Sequence, residues 1–133
     1  MKVTQLLHAS ILVMEMERAR AFYEGVLGLR ASDKRPDLGY PGAWYELGAQ
    51  QIHLIALANA PQPLHDAHGG RDRHIALAID DIAALKAKLD ALGIADTLSR
   101  SGRRALFCRD PDGNALEFVA VQRCVRACSA RRW

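Results

Sequence analysis

HASILVMEMERARAFYEGVLGLR (8–30) lies over HIALAIDDIAALKAKLDALGI (74–94), and this pairing decides the fold. Both stretches begin on a histidine, alternate apolar residues for several positions, and then pass into a helical pattern. Their ends match as well: Val26-Leu27-Gly28-Leu29 stands against Ala91-Leu92-Gly93-Ile94. Further along, QIHLIAL (51–57) lies over ALEFVAV (115–121), which sets His53 opposite Glu117. The chain therefore reads as an internal repeat of roughly 65 residues, each copy running strand, helix, strand, strand, strand.

The periodicities agree. In the opening strand Leu7, Ala9, Ile11 and Val13 share one face, with Leu6, His8, Ser10 and Leu12 on the other. In 73–79, Ile75, Leu77 and Ile79 oppose His74, Ala76 and Ala78. Residues 15–27 carry a helical stripe of Met16, Ala19, Phe22, Tyr23 and Val26, which Gly28 is placed to end. In 81–92 the stripe is Ile82, Leu85, Leu89 and Leu92, with Asp80 as expected N-cap and Gly93 as stop. Strands are expected over 29–34, 43–48 and 51–57, and again over 94–98, 104–109 and 115–121. Gly48-Ala49-Gln50 and Asp110-Pro111-Asp112-Gly113-Asn114 read as the turns before the last strand of each half. The Pro- and Gly-rich stretch 58–72 reads as the linker between module one (3–57) and module two (73–121). The expectation is one α+β domain over 1–121, with a basic tail over 122–133.

Composition excludes several functions. Of 133 residues half are apolar and a quarter charged, the balance of a soluble globular chain. The net charge of +3 resides in the tail, whose four arginines removed leave 14 basic against 15 acidic residues. No concentrated basic face for nucleic acid is expected. No apolar run nears the roughly 18–20 residues of a membrane span. The start lacks a small-residue cleavage site, so no signal peptide is expected. Cys108, Cys124 and Cys128 form no disulfide framework or zinc pattern and suit a reducing cytoplasm.

Strand parity then selects four side chains. His8, His53, His74 and Glu117 each lie on the strand face opposite the helix-facing one, two from each half at equivalent positions. A twofold relation between the halves would gather them. Three imidazoles and one carboxylate suit one divalent transition metal per site: Ni, Zn, Co, Mn or Fe(II). Tyr40, Trp44 and Phe107 are candidates for a pocket wall, and Arg103 or Arg104 for an anionic substrate group. His65 and His68, in the linker without repeat partners, read as solvated loop residues.

The opening strand with His8, ARAFYEGVLGLR (19–30), GGRDRHIALAIDD (69–81) and FCRDPDGNALEF (107–118) together resemble the vicinal oxygen chelate superfamily. That superfamily includes glyoxalase I, fosfomycin-resistance thiol transferases, extradiol dioxygenases and bleomycin-binding proteins. The resemblance implies two βαβββ modules whose curved mixed sheets enclose a metal site. It implies a homodimer, often with modules paired across subunits, and a small-molecule substrate. By motif position His8, His74 and Glu117 match ligands, while His53 falls where glyoxalase I carries a glutamate. The implied activity is a metal-dependent isomerase or lyase of glyoxalase I type on a substrate with vicinal oxygens, such as a thiol adduct. There Glu117 or His53 would move the proton. A single-domain Fe(II) dioxygenase, a thiol transferase and a drug-sequestering binding protein are the alternatives.

Overall fold

The computed structural model describes residues 1–63 and 66–122. The basic tail beyond Gln122, with Cys124 and Cys128, and His65 in the linker lie outside the described residues. The first half contributes β1 (His8–Val13), α1 (Met16–Arg20), β2 (Gly42–Leu47) and β3 (Gln50–Ala56). The second contributes β4 (His74–Ile79), α2 (Ile82–Ala91), β5 (Asp96–Leu98), β6 (Ala105–Arg109) and β7 (Ala115–Ala120). The result is two mixed sheets of order β1-β3-β2 and β4-β7-β6-β5. In each, the first and last strands of the module run parallel and the other pairs antiparallel. A parallel pair needs a crossover, and the helix supplies it on one face of the sheet.

Three expectations need correction. The strand over 29–34 does not form: Ala31 makes a single bridge to Tyr45. Arg30, Ser32, Asp33, Lys34 and Pro36 leave little apolar surface there to bury. The helix over 15–27 is not uniform, since α1 passes into a π-helical segment, Ala21–Val26, where the Leu27 N–H reaches the Phe22 carbonyl at 3.0 Å. Finally Asp81, not Asp80, caps α2, its Oδ1 accepting from the Ala84 N–H at 2.9 Å. On α1 the cap is Glu15, which accepts from the Glu17 and Arg18 N–H groups.

The parities hold. Ile11 and Val13 on β1, Ile52 and Leu54 on β3, Leu106 on β6, and Leu116 and Phe118 on β7 enter one core with Phe22, Tyr23, Leu85 and Leu89. Both halves thus share their apolar, helix-covered faces. The 110–114 turn does more than join β6 to β7, because it clasps the first half. Asp112 Oδ1 accepts from the Met14 N–H at 3.1 Å and from Arg18 Nη2 at 2.9 Å. Asn114 Nδ2 donates to the Leu12 carbonyl at 3.0 Å, and the Tyr23 hydroxyl donates to Asp110 Oδ2 at 2.7 Å. Burial pushes the Tyr23 hydroxyl pKa far up, so it stays a donor. Burial also raises Asp110, against the lowering effect of its bonds from Asn114, Tyr23 and the backbone.

Tyr23→Phe is expected to cost about 1–3 kcal/mol, the usual loss when a buried acceptor loses its donor. The sign with pH follows from Asp110. Its folded pKa is already raised, so its ionised form is the costly one, and losing a donor raises it further. The deficit of the variant is therefore largest near neutral pH and shrinks as pH falls and Asp110 takes a proton. Urea unfolding midpoints of both proteins across that range measure it.

Candidate functional site

The register of the two sheets repeats. In the first, His8 pairs with Gln51, and Ser10 pairs with His53, which in turn pairs with Trp44. In the second, His74 pairs with Ala115, and Ala76 pairs with Glu117, which pairs with Phe107. Each module therefore sets its two candidate ligands on a diagonal between parallel neighbours, one on the first strand and one on the last. The His8 and His53 rings stack at 4.0 Å between centroids. His74 Nε2 stands 3.4 Å from Glu117 Oε2. The structure brings the four residues together in these two pairs. Among the described residues no three metal-ligating side chains gather at one point within the single chain.

Hydrogen bonds decide which atoms each pair presents. His74 Nδ1 lies 2.9 Å from the Asp72 carbonyl, which only accepts, so Nδ1 carries the proton. In the neutral ring Nε2 then offers a lone pair toward a carboxylate oxygen. Two acceptors face each other there, an arrangement relieved by a cation or proton between them. Glu117 is only 3% exposed, and its other oxygen, Oε1, accepts from Arg103 Nη2 at 3.1 Å. His53 Nε2 lies 2.7 Å from Gln51 Oε1, which leaves Nδ1 with the free lone pair. Burial first, then the charges of His8 and Arg35, holds His53 below the ordinary histidine range. Its imidazole is thus neutral and available as ligand or base near pH 7. Carbonyl and amide partners of this kind orient ligating imidazoles. The donor chemistry fits a transition metal, half of the set on each sheet.

The expected pocket residues divide. Trp44 stacks on His53 at 4.4 Å between centroids, completing a row of three flat rings with His8. Tyr40 is exposed and lies beneath Arg35, whose Nη2 donates to the Tyr40 carbonyl at 2.9 Å. Arg103, not Arg104, enters the cavity beside Glu117. His68 is not a solvated loop residue: it is half-buried, with Nδ1 2.7 Å from Thr97 Oγ1 and its ring edge-on to Phe107. The linker turn Gly69–Arg71 explains this, for it lies against β6 and β7. A Cβ on Gly69 would stand 3.2 Å from the Ala115 Cβ, a tight contact that glycine avoids. Arg109 ties the linker down through the Asp66 carbonyl and the Asp72 carboxylate. Reading the sequence missed Gln51, although its two-residue spacing from His53 put it on the same face. It also missed Arg71, which the linker turn carries in.

No helix among the described residues is long and apolar enough to cross a membrane. The chain is 30% identical over 124 residues to a lactoylglutathione lyase of Haemophilus influenzae, a match covering 86% of this chain and 91% of that protein. A glyoxalase/dioxygenase from Nostoc punctiforme shares the fold with a TM-score of 0.71 at 22% identity, covering 87% of this chain and 90% of that one. So does an antibiotic binding protein from Streptomyces, with a TM-score of 0.65 at 20% identity, covering 90% and 98%. The family model of the Glyoxalase/Bleomycin resistance protein/Dioxygenase superfamily matches residues 5–118, and with the repeated register of its two modules the chain belongs to that superfamily.

Proposed function

We propose that this chain is a metal-dependent isomerase or lyase of glyoxalase type, acting on a small substrate with two vicinal oxygens, and that its working form is a homodimer. The observation that carries the reading is the His74 Nε2 lone pair set 3.4 Å from the buried Glu117 carboxylate, a gap suited to a cation. The first module of one copy would face the second module of another and bring the His8–His53 pair to His74 and Glu117. Support for a second copy comes from the edges. β1 and β4 are both edge strands, and Leu6, Leu7, Leu12 and Met14 on or beside β1 are exposed. Apolar edges of this kind are covered in native assemblies.

A divalent metal held by His8, His74 and Glu117, with His53 beside it, would supply Lewis acidity toward the substrate oxygens. The chain's own groups do the rest. His53, neutral near pH 7 and fixed by Gln51, takes a proton at Nδ1 from the carbon next to a polarised carbonyl and returns it to the adjacent carbon. Trp44 and His8 hold the His53 ring in plane. Glu117 is held between Arg103 and His74. The row of three flat rings also supports a second reading, a protein that binds a planar drug without turnover. Freshly purified protein assayed for metal, thioester formation and oxygen uptake with catechols separates these. Thioester formation supports the lyase, oxygen uptake assigns the dioxygenase, and drug binding without metal favours the binder.

Mixing tests the pairing of modules. A His8→Ala/His53→Ala protein and a His74→Ala/Glu117→Ala protein should each bind no metal alone. After mixed refolding, each heterodimer should recover one site, because one of its two interfaces then joins an intact pair to an intact pair. Sites within single chains would recover none, as calorimetry will read. Glu117→Ala should abolish stoichiometric binding of Ni, Zn and Fe(II), whereas His53→Ala should weaken it on the order of 10- to 100-fold. Imidazole NMR should show His53 titrating below about 6.5. In His8→Ala that titration should move up, since burial and repulsion fall together.

A further inference from the structure

A cavity of ≈ 370 Å³ opens beside His74 and Glu117, and its wall is rich in arginine. Arg71 comes from the linker turn and Arg100 and Arg103 from the loop between β5 and β6. The acids on the same wall are Glu117 and Asp66. Glu117 is engaged by Arg103, and Asp66 Oδ1 accepts from the Ala67 N–H at 2.7 Å. Among the described residues neither Arg71 nor Arg100 makes an ion pair, while Arg18, Arg20, Arg103 and Arg109 all do. The serines on the loop shape it. Ser101 Oγ accepts from Arg103 Nε at 3.2 Å and lies 2.8 Å from Ser99 Oγ. Arg103 is thereby aimed at Glu117.

We infer that this cavity is an oxyanion seat, in which Arg71, Arg100 and Arg103 receive the terminal phosphate or carboxylate of the substrate. The argument is electrostatic and geometric. Guanidinium groups lining a concave surface, two of them without an ion pair among the described residues, raise its potential and draw anions in. Their planar forks match the paired oxygens of a carboxylate or phosphate. The seat touches His74 and Glu117, so an anion held there extends directly into the proposed reaction centre. Among the described residues the first module has no equivalent. Its pair is flanked by Trp44 and Gln51, and the Nη2 of its nearby Arg35 donates to the Tyr40 carbonyl. The substrate class that follows is an asymmetric small molecule, anionic at the end on the second module. This assignment rests on the proposed function for the position of the reacting end, but the seat itself needs no metal.

The test uses the full chain stripped with chelator, with inorganic phosphate and succinate as probes in calorimetric titrations. The native protein should bind at least one probe, more weakly as salt rises. Arg71→Gln/Arg100→Gln should weaken that binding on the order of 10- to 100-fold, the scale of charge-assisted hydrogen bonds. Arg30→Gln/Lys34→Gln, which removes the same charge from the first module, should leave it within about twofold, because neither residue lines that cavity. Phosphate the tighter probe assigns a phosphorylated substrate, and succinate the tighter a carboxylate. No binding of either probe, or equal losses in both double variants, overturns the seat. Metal titration of Arg71→Gln/Arg100→Gln should match the native protein. If the native chain binds no metal but its anion binding still depends on Arg71 and Arg100, the seat stands and the metal-dependent reading falls.

Discussion

Parallel pairing between the first and last strands of each module is the constraint from which the rest follows. β1 runs parallel to β3 and β4 parallel to β7, so neither pair can be closed by a tight turn. The chain must cross over, and the crossing helix covers one face of each sheet. Side chains alternate along a strand, so every residue is committed to the helix side or the free side. Ile11, Leu54, Leu116 and Phe118 go to the helix side and join one core shared by both modules. His8, His53, His74 and Glu117 are thereby left on the free faces. Because the shared core holds the helix sides together, one chain gathers these candidate ligands two and two.

Much of this was legible in the residues. A period of two fixed the faces of β1, β3, β4 and β7, and the overlay of 8–30 on 74–94 identified equivalent positions before any geometry was known. What a repeat establishes is equivalence, not relative placement, so the overlay could not say whether the equivalent pairs meet within one chain. Local chemistry accounts for the other differences. Asp80 and Asp81 are adjacent and equally good caps, and a one-residue choice between them depends on backbone angles. The π-helical shift over 21–26 leaves the apolar stripe of Phe22, Tyr23 and Val26 intact, so the spacing carries no trace of it. The missing strand was foreseeable, since only Ala31 among residues 30–35 offers an apolar side chain.

Asp110 and Glu117, two of the buried acid groups of the second module, show how differently one hairpin uses its carboxylates. Asp110 accepts from the Asp112 N–H, the Asn114 N–H, Asn114 Nδ2 and the Tyr23 hydroxyl. Four donors saturate it, and its role ends in tying the modules together. Glu117, only seven residues on, is as deeply buried but has one guanidinium and a facing imidazole lone pair. A buried charge with incomplete partners costs several kcal/mol unless something compensates it. The arginine is a long, largely exposed side chain attached to a serine-shaped loop, and so a replaceable partner. The fold thus keeps one carboxylate for structure and holds the other short of saturation.

The linker then breaks the symmetry that the repeat would impose. Two identical modules would present identical free faces, and a site between them would treat both ends of a substrate alike. Gly69 lets the connecting turn lie on the second sheet, so close that a Cβ there would stand 3.2 Å from that of Ala115, and Arg109 pins it in place. His68 and Arg71 arrive with the turn, while the first sheet keeps its stack of Trp44, His53 and His8 uncovered. One free face becomes cationic and enclosed, and the other flat and aromatic. A connection whose composition marks it only as irregular is therefore what gives a twofold scaffold two unlike ends.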